Sequence, residues 1–196
     1  MFYFSDATER NKRPILEQLL QWLNQRESVL EIGSASGQHG LYFRAYMPNL
    51  QWQFSDRSSY LAGLTKNLLN ANLPDIDLPI ELDVKNYNWS LNKYDVIFTA
   101  NTLHIMQFDE VDYFLNHLHL ALKRHGKLII YGPFNYQGDY TSESNQMFDQ
   151  YLKQQGYGGI QSFETLNDIL FQYNITLQAD VEMPANNRLL LWQCDK

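Results

Sequence analysis

Acidic residues and a turn of small residues occur at the spacing of a nucleoside-binding site. The turn reads Glu31-x-Gly33-x-Ala35-x-Gly37, and Asp56 and Asp83 each follow a later hydrophobic stretch. Asp56 lies 19 residues after Gly37, and an acid about 20 residues beyond a glycine turn can accept hydrogen bonds from ribose hydroxyls. Asp83 would lie further out, where its carboxylate can accept from an exocyclic amine of a base. The spacing therefore predicts a nucleoside site.

The composition of the turn favours a ligand without phosphate groups. A dinucleotide fingerprint requires Gly-x-Gly-x-x-Gly, so that the pyrophosphate rests on a helix N-terminus. Here Ala35 replaces the second glycine, and Glu31 brings negative charge to the site. Glu31 is placed to pair, directly or through water, with a cationic or amino-acid-like group. S-adenosylmethionine has no phosphate and carries an ammonium and a sulfonium, so it suits this turn better than a dinucleotide.

Alternating strands and helices are predicted to position these residues. Strands are expected at 28–32, 50–55, 78–82, 94–100, 127–131, 175–182 and 188–194, and helices at 14–25, from 38, 58–72, 109–123, 144–155 and 164–173. Pro14 suits the first turn of its helix, residues 124–126 are expected to end the fourth one, and residues 134–145 read as a polar and aromatic connection. The pattern predicts one α/β domain over residues 1–196. Its doubly wound, Rossmann-like sheet has seven strands, mostly parallel, and ends in a C-terminal antiparallel hairpin.

The bulk composition narrows the classes of function. The 196 residues carry a net charge of −7, whereas a nucleic-acid surface usually shows a basic stripe. No stretch approaches the roughly 18–20 apolar residues that span a membrane. The N-terminal residues lack a signal-peptide pattern and Cys194 is the only cysteine, so we expect a cytoplasmic location. No metal-binding pattern is apparent in the sequence.

The motifs resemble those of a class I S-adenosylmethionine-dependent methyltransferase. The turn after the first strand, the acids after the second and third strands, and the strand order carry this likeness. Further segments are similar to one uncharacterised methyltransferase-like family, a domain of unknown function. These segments are Arg10-Asn11-Lys12-x-Pro14-Ile15-Leu16, Gly37-Gln38-His39, Trp52-Gln53-x-Ser55-Asp56, Leu82-Asp83-Val84, Ala100-Asn101-x-x-His104-Ile105, Tyr131-Gly132-Pro133-Phe134 and Met183-Pro184-Ala185-Asn186-Asn187. The resemblance covers nearly the whole chain and implies the fold and S-adenosylmethionine as cofactor.

Spacing and resemblance together nominate three groups of site residues. The cofactor group comprises Glu31, Gly33, Ser34, Ala35, Ser36, Gly37, His39, Asp56, Asp83, Val84 and Asn101. The substrate group comprises Arg10, Asn11, Tyr131, Phe134, Asn186 and Asn187, and the N-terminal segment 1–27 is expected to cover the cofactor. His104 follows the fourth strand, where it could take a proton from the acceptor; the alternative is that it only packs near the cofactor.

The leading hypothesis is methyl transfer from S-adenosylmethionine to a small molecule. An S-adenosylmethionine-binding protein without methyl transfer, a nicotinamide-dependent oxidoreductase and a protein methyltransferase are the alternatives. The absence of an Asn-Pro-Pro-aromatic sequence and the acidity of the chain disfavour methylation of nucleic-acid bases.

Overall fold

A central sheet organises the computed structural model, which describes residues 4–89 and 93–195. The strands are β1 Ser28–Ile32, β2 Gln51–Asp56, β3 Ile80–Glu81, β4 Tyr94–Ala100, β5 Leu122–Gly132, β6 Phe134–Tyr136, β7 Asp139–Tyr140, β8 Gln161–Ser162, β9 Ile175–Met183 and β10 Asn187–Cys194. Seven of them form one sheet in the order β3-β2-β1-β4-β5-β10-β9. β3, β2, β1, β4 and β5 pair in parallel, and β10 runs antiparallel to both β5 and β9. This confirms the predicted fold with its C-terminal hairpin.

Helices cover both faces of the sheet. They are α1 Asp6–Trp22, α2 Gln38–Tyr46, α3 Ser58–Leu69, α4 Phe108–His117, α5 Glu143–Gln154 and α6 Phe163–Phe171. One core cluster receives apolar side chains from α4 and α6, and a second receives them from α1, α2 and α3. On β4, Ile97 belongs to the first cluster whereas Val96 and Phe98 belong to the second, because successive side chains of a strand point to opposite faces. Burial on both faces explains the continuous apolar run of this strand.

Several predicted element boundaries are wrong. α1 begins at Asp6, where the Ser5 side chain accepts a hydrogen bond from the Thr8 amide, so Pro14 lies inside the helix and not in its first turn. The third strand is only Ile80–Glu81, shorter than the predicted 78–82. α4 ends at His117 and a short 3-10 helix, Leu118–Leu120, follows. β5 then begins at Leu122, because sheet pairing with β4 outweighs the helical pattern that continued to 123.

A second, smaller sheet lies beyond the end of β5 in the chain. It has the order β7-β6-β8, with β6 antiparallel to β7 and parallel to β8. The prediction of an irregular connection over residues 134–145 is therefore corrected. This sheet ties the start of α6 to the segment that follows β5. Within the described residues, no helix is long and apolar enough to cross a membrane.

Candidate functional site

The turn after β1 brings its backbone to the floor of a cleft at the carboxyl edge of the sheet. Gly33, Ala35 and Gly37 all have left-handed φ angles, of 72°, 49° and 79°. A Cβ at Gly33 would lie 2.8 Å from the Thr102 side chain, so this position requires glycine for both backbone angle and space. α2 begins immediately afterwards at Gln38. The strand, turn and helix predicted from the sequence are thus present.

Several amides of this turn already have acceptors within the protein. The Ser34 amide donates to the Ser55 carbonyl oxygen at 2.9 Å, and the Gly37 amide donates to the Ser34 carbonyl oxygen at 2.7 Å. The Ala35 amide donates to Asp56 Oδ2 at 2.7 Å. A pyrophosphate site at a helix N-terminus depends on free amides. With these three amides occupied, the turn is better suited to a ligand without phosphate.

Asp56 presents a carboxylate to the cleft from the end of β2. Its Oδ1 accepts from the Arg57 amide at 2.8 Å, in addition to the Ala35 bond. Burial raises the pKa of Asp56, and the two amide bonds act in the opposite direction. A carboxylate has about four acceptor positions, so these amides leave acceptor capacity for ligand hydroxyls.

The cleft has two adjoining parts that share Gly33, Ala35, Tyr60, Asn101 and Thr102. The first part is bounded mainly by apolar side chains, together with Asp56 and Arg57; its remaining lining residues are Ile32, Leu82, Val84, Ile105 and Met106. The second part lies beneath the start of α1, and its remaining lining residues are Phe4, Ser5, Ala7, Thr8, Ser34, Ser36, Gln38, His39 and Ala100. An apolar slot that adjoins a polar chamber can take an amphipathic ligand such as a nucleoside with a charged extension.

The start of α1 is held over the second part of the cleft by Gln38. The Ser5 amide donates to Gln38 Oε1 at 2.7 Å, and Gln38 Nε2 donates to Glu9 Oε1 at 2.9 Å. The expected site residues did not include Ser5, Thr8 or Gln38. Ser5 followed by Asp6 is a helix-start pattern that could have located this end of α1, but nothing in the sequence shows where the helix docks.

Glu31 lies behind the turn and is not a lining residue of the cleft. Its Oε2 accepts from Ser34 Oγ at 2.9 Å and from Trp52 Nε1 at 3.0 Å. Burial raises the pKa of Glu31 to about 7, against the effect of these two hydrogen bonds. Glu31 is expected to pair with a cationic ligand directly or through water; the direct pairing is corrected, since the carboxyl group is buried against Trp52 and contacts the turn through Ser34.

Asp83 and Gly37 are also set back from the cleft. Asp83 Oδ1 accepts from the Lys85 amide at 3.0 Å, and its Oδ2 lies 4.0 Å from Arg57 Nε. Its neighbours Leu82 and Val84 supply the lining at this point. A Cβ at Gly37 would lie 3.0 Å from a Leu64 methyl carbon, so this glycine packs against α3. The other predicted cofactor residues, including His39 and Asn101, line the cleft.

His104 lies behind the cleft wall, although the following residues Ile105 and Met106 line it. Its ring contacts Phe148 with centroids 5.4 Å apart, and the residue is 7% exposed. Burial lowers the pKa of His104 to about 4, so the imidazole is neutral near pH 7. This position places the ring beside the site but not on its surface.

Four of the predicted substrate residues, Arg10, Asn11, Tyr131 and Asn187, lie together around α1. Asn11 Oδ1 lies 2.7 Å from His39 Nε2. Burial raises the pKa of the Tyr131 phenol, while hydrogen bonds with Asn11 and Asn187 and the nearby charge of Arg10 act in the opposite direction. Arg10 itself is exposed. These contacts join α1, β5 and β10 next to the second part of the cleft.

The other two predicted substrate residues have structural contacts. Phe134 is 1% exposed and belongs to the hydrophobic core, so the prediction that it lines a pocket is corrected. Asn186 has a left-handed φ of 57°, and its side chain donates to Ser144 Oγ at 3.1 Å. Across the described residues, no group of three or more His, Cys, Asp or Glu side chains could hold a metal ion.

The strand order and mostly parallel pairing of the sheet give the Rossmann-like fold that solved S-adenosylmethionine-dependent methyltransferases also have. A candidate O-methyltransferase from Nostoc punctiforme is similar to this chain with a TM-score of 0.79 and 17% identity, over 95% of this chain and 58% of its own. The S-adenosylmethionine-dependent methyltransferase SibL is similar with a TM-score of 0.79 and 14% identity, over 97% of this chain and 56% of its own. PigF, solved with SAH, is similar with a TM-score of 0.77 and 16% identity, over 94% of this chain and 56% of its own.

The chain belongs to the family described as "Protein of unknown function (DUF938)", whose model matches residues 3–194. It spans little more than half the length of the three solved proteins above. At their low sequence identity, the likeness to those proteins concerns the fold. The predicted resemblance to an uncharacterised methyltransferase-like family is confirmed.

Proposed function

We propose that the cleft binds S-adenosylmethionine and that the protein transfers its methyl group to a small-molecule acceptor. The observation that carries this proposal is the Asp56 carboxylate, which stands at the cleft beside a turn whose Ser34, Ala35 and Gly37 amides already have acceptors. That combination favours ribose hydroxyls and disfavours phosphate. Two neighbours with the same fold support the proposal, since SibL is named as S-adenosylmethionine-dependent and PigF was solved with SAH.

The lining residues fit the parts of this cofactor. Asp56 would accept hydrogen bonds from the ribose, and Leu82, Val84 and Met106 would pack against the adenine. The amino-acid end would lie in the part of the cleft under α1, near Ser34 and His39. Segment 1–27 would then cover the cofactor, since residues 4–8 of that segment include lining residues of this part.

When bound, S-adenosylmethionine supplies an electrophilic methyl group on a sulfonium. The protein's own contribution would be to align the acceptor with that group and to exclude water, because approximation alone can supply several kcal/mol. A neutral His104 can take a proton from a hydroxyl group of the methyl-accepting substrate. This step requires that the substrate or the wall residues bring that hydroxyl to the His104 ring. The name of the Nostoc punctiforme neighbour favours oxygen as the accepting atom.

A second candidate is a protein that binds S-adenosylmethionine without methyl transfer. The position of His104 behind the cleft wall favours it, because the imidazole then lies away from a substrate in the cleft. Incubation of the protein with methyl-labelled cofactor and a pool of cell metabolites separates the two candidates. Label in any metabolite, absent with heat-denatured protein, would eliminate the binding-only function.

Calorimetry tests the proposal directly. S-adenosylmethionine and its demethylated product are each titrated into the protein, with a nicotinamide dinucleotide as the comparison ligand. We expect saturable binding of the first two below about 1 mM, and none of the dinucleotide. Failure of both to bind at millimolar concentration would refute the proposal.

A further inference from the structure

Part of the cleft wall is an irregular segment, residues 101–107, between β4 and α4. Asn101, Thr102, Ile105 and Met106 all line the cleft. Within the segment, the Ile105 and Met106 amides donate to the Thr102 carbonyl oxygen at 2.9 and 3.2 Å. Two such bonds form a single turn and leave the segment dependent on its neighbours for position.

Residues 156–160 support this wall from the side away from the cleft. The Gly159 amide donates to the His104 carbonyl oxygen at 3.1 Å, and Gln107 Nε2 donates to the Gly156 carbonyl oxygen at 2.6 Å. Gly158 lies so close to the wall that an added Cβ would be 1.9 Å from the Met106 carbonyl oxygen. The two segments therefore pack backbone against backbone, and a shift of one must move the other.

Asp149, on α5, holds residues 156–160 in place. Its Oδ1 accepts from the Ile160 amide at 2.7 Å, and its Oδ2 accepts from Tyr140 Oη at 2.6 Å and Lys153 Nζ at 2.7 Å. Burial opposes ionisation, but the hydrogen bonds from Lys153, Tyr140 and the Ile160 amide lower the pKa of Asp149 below its ordinary value. A buried, ionised carboxylate with these donors is a strong anchor.

Gly159 shows how closely the anchor and the segment fit. It has a left-handed φ of 88°, and an added Cβ would lie 2.4 Å from Asp149 Oδ1. The same residue donates its amide to the wall at His104. One glycine thus touches the anchor on one side and the wall on the other.

We propose that Asp149 is a positioning residue for the cofactor cleft. It acts through residues 156–160 on residues 104–107, and so sets the places of Ile105, Met106 and the buried His104 ring. The effect on cofactor affinity rests on the proposed function, because it assumes that the cleft binds S-adenosylmethionine or its product. The effect on the wall itself does not.

The first test compares Asp149→Ala, Asp149→Asn and Glu143→Gln, in which the last changes an exposed acid on the same helix. Affinity for S-adenosylhomocysteine is measured by calorimetry, with the unfolding temperature as a check on folding. We expect Asp149→Ala to weaken binding by about tenfold or more, the scale of a lost charged hydrogen bond. Asp149→Asn keeps an oxygen for the Ile160 amide and should weaken binding less, and Glu143→Gln should leave the affinity unchanged.

The second readout is the pKa of the His104 ring, measured by NMR titration. If Asp149 only stabilised the fold in general, its substitution would leave this pKa unchanged in a folded variant. In the unmodified protein we expect a pKa of about 4. If Asp149→Ala releases the wall, the ring becomes hydrated and its pKa should rise toward about 6.5. Gly158→Ala displaces the same wall directly, because the added Cβ would lie 1.9 Å from the Met106 carbonyl oxygen, and it should raise the His104 pKa in the same way.

Hydrogen exchange in the unmodified protein covers the case in which the Asp149 variants do not fold. Saturating S-adenosylhomocysteine should slow exchange of the Gly159 and Ile160 amides by about tenfold or more, since ligand contacts at Ile105 and Met106 stabilise the packed pair of segments. Unchanged exchange there, or folded variants with unaltered affinity and His104 pKa, would overturn the positioning role. If the unmodified protein binds no S-adenosylhomocysteine, the proposed function fails, and the His104 titration alone then decides whether Asp149 holds the wall.

Discussion

Asp56→Ala removes the carboxylate to which we assign the ribose. Two of its roughly four acceptor positions are taken by the Ala35 and Arg57 amides, which leaves one or two for ribose hydroxyls. Each hydrogen bond to a charged group contributes about 1.5–3 kcal/mol. With the lower value, two such bonds amount to about 3 kcal/mol, or roughly a hundredfold loss of affinity.

The assay for this change is calorimetry with S-adenosylhomocysteine on the purified variants. Asp56→Asn keeps one oxygen, so we expect its affinity to fall by about tenfold. Asp109→Asn is the matched control, because Asp109 is exposed and pairs with Lys85 outside the cleft lining. An Asp56→Ala variant that stays folded and binds within twofold of the unmodified protein would refute the ribose assignment, and would leave Asp56 as a support for the turn alone.

Three further changes test parts of the same region. Burial raises the pKa of Glu31 to about 7 in the folded protein, whereas the unfolded chain ionises this group near pH 4.5. As the pH rises from about 4.5 to about 7, the unfolded chain therefore loses its proton first, and the free energy of unfolding should fall by about 3 kcal/mol relative to that of Glu31→Gln. Urea unfolding at pH 5 and pH 8 measures this difference, and a constant difference would contradict it. Gly40→Ala should lower stability by about 1–3 kcal/mol, since an added Cβ would lie 2.4 Å from Trp52 Nε1; an unchanged unfolding midpoint would count against that packing. Gln38→Ala removes the bond to the Ser5 amide, so stopped-flow measurements should show S-adenosylhomocysteine dissociating several times faster, and an equal rate would show that α1 does not retain the ligand.

The order and type of the long elements could be predicted from the sequence, because burial and chain pattern agree there. β4 was predicted at 94–100 and forms Tyr94–Ala100, since a strand buried on both faces must be continuously apolar. The residues of β6, β7 and β8 form strands of two or three residues, which are too short to show a period of two. Their pairing depends on contacts between distant parts of the chain, and local sequence cannot reveal those.

The candidate site was predictable in position but not in the direction of its side chains. Residues 33–36 of the turn and Asp56 lie at the cleft as expected, because strand ends of a parallel sheet share one edge. Glu31 points to Trp52, a residue of the neighbouring strand β2 that lies 21 positions later in the chain, and local sequence does not reveal that contact. The support of the wall by Asp149 joins α5 to the segment after β4, and no spacing rule connects those two elements.

The central claim is that the cleft holds S-adenosylmethionine, and the ligand carried by the protein from cells tests it most directly. The protein is purified without added cofactor, and native mass spectrometry is recorded before and after mild denaturation, with Asp56→Ala prepared in parallel. We predict that S-adenosylmethionine or S-adenosylhomocysteine is released from the unmodified protein and is much reduced in the variant. Release of a nicotinamide or flavin dinucleotide instead, retained equally by the variant, would contradict the account.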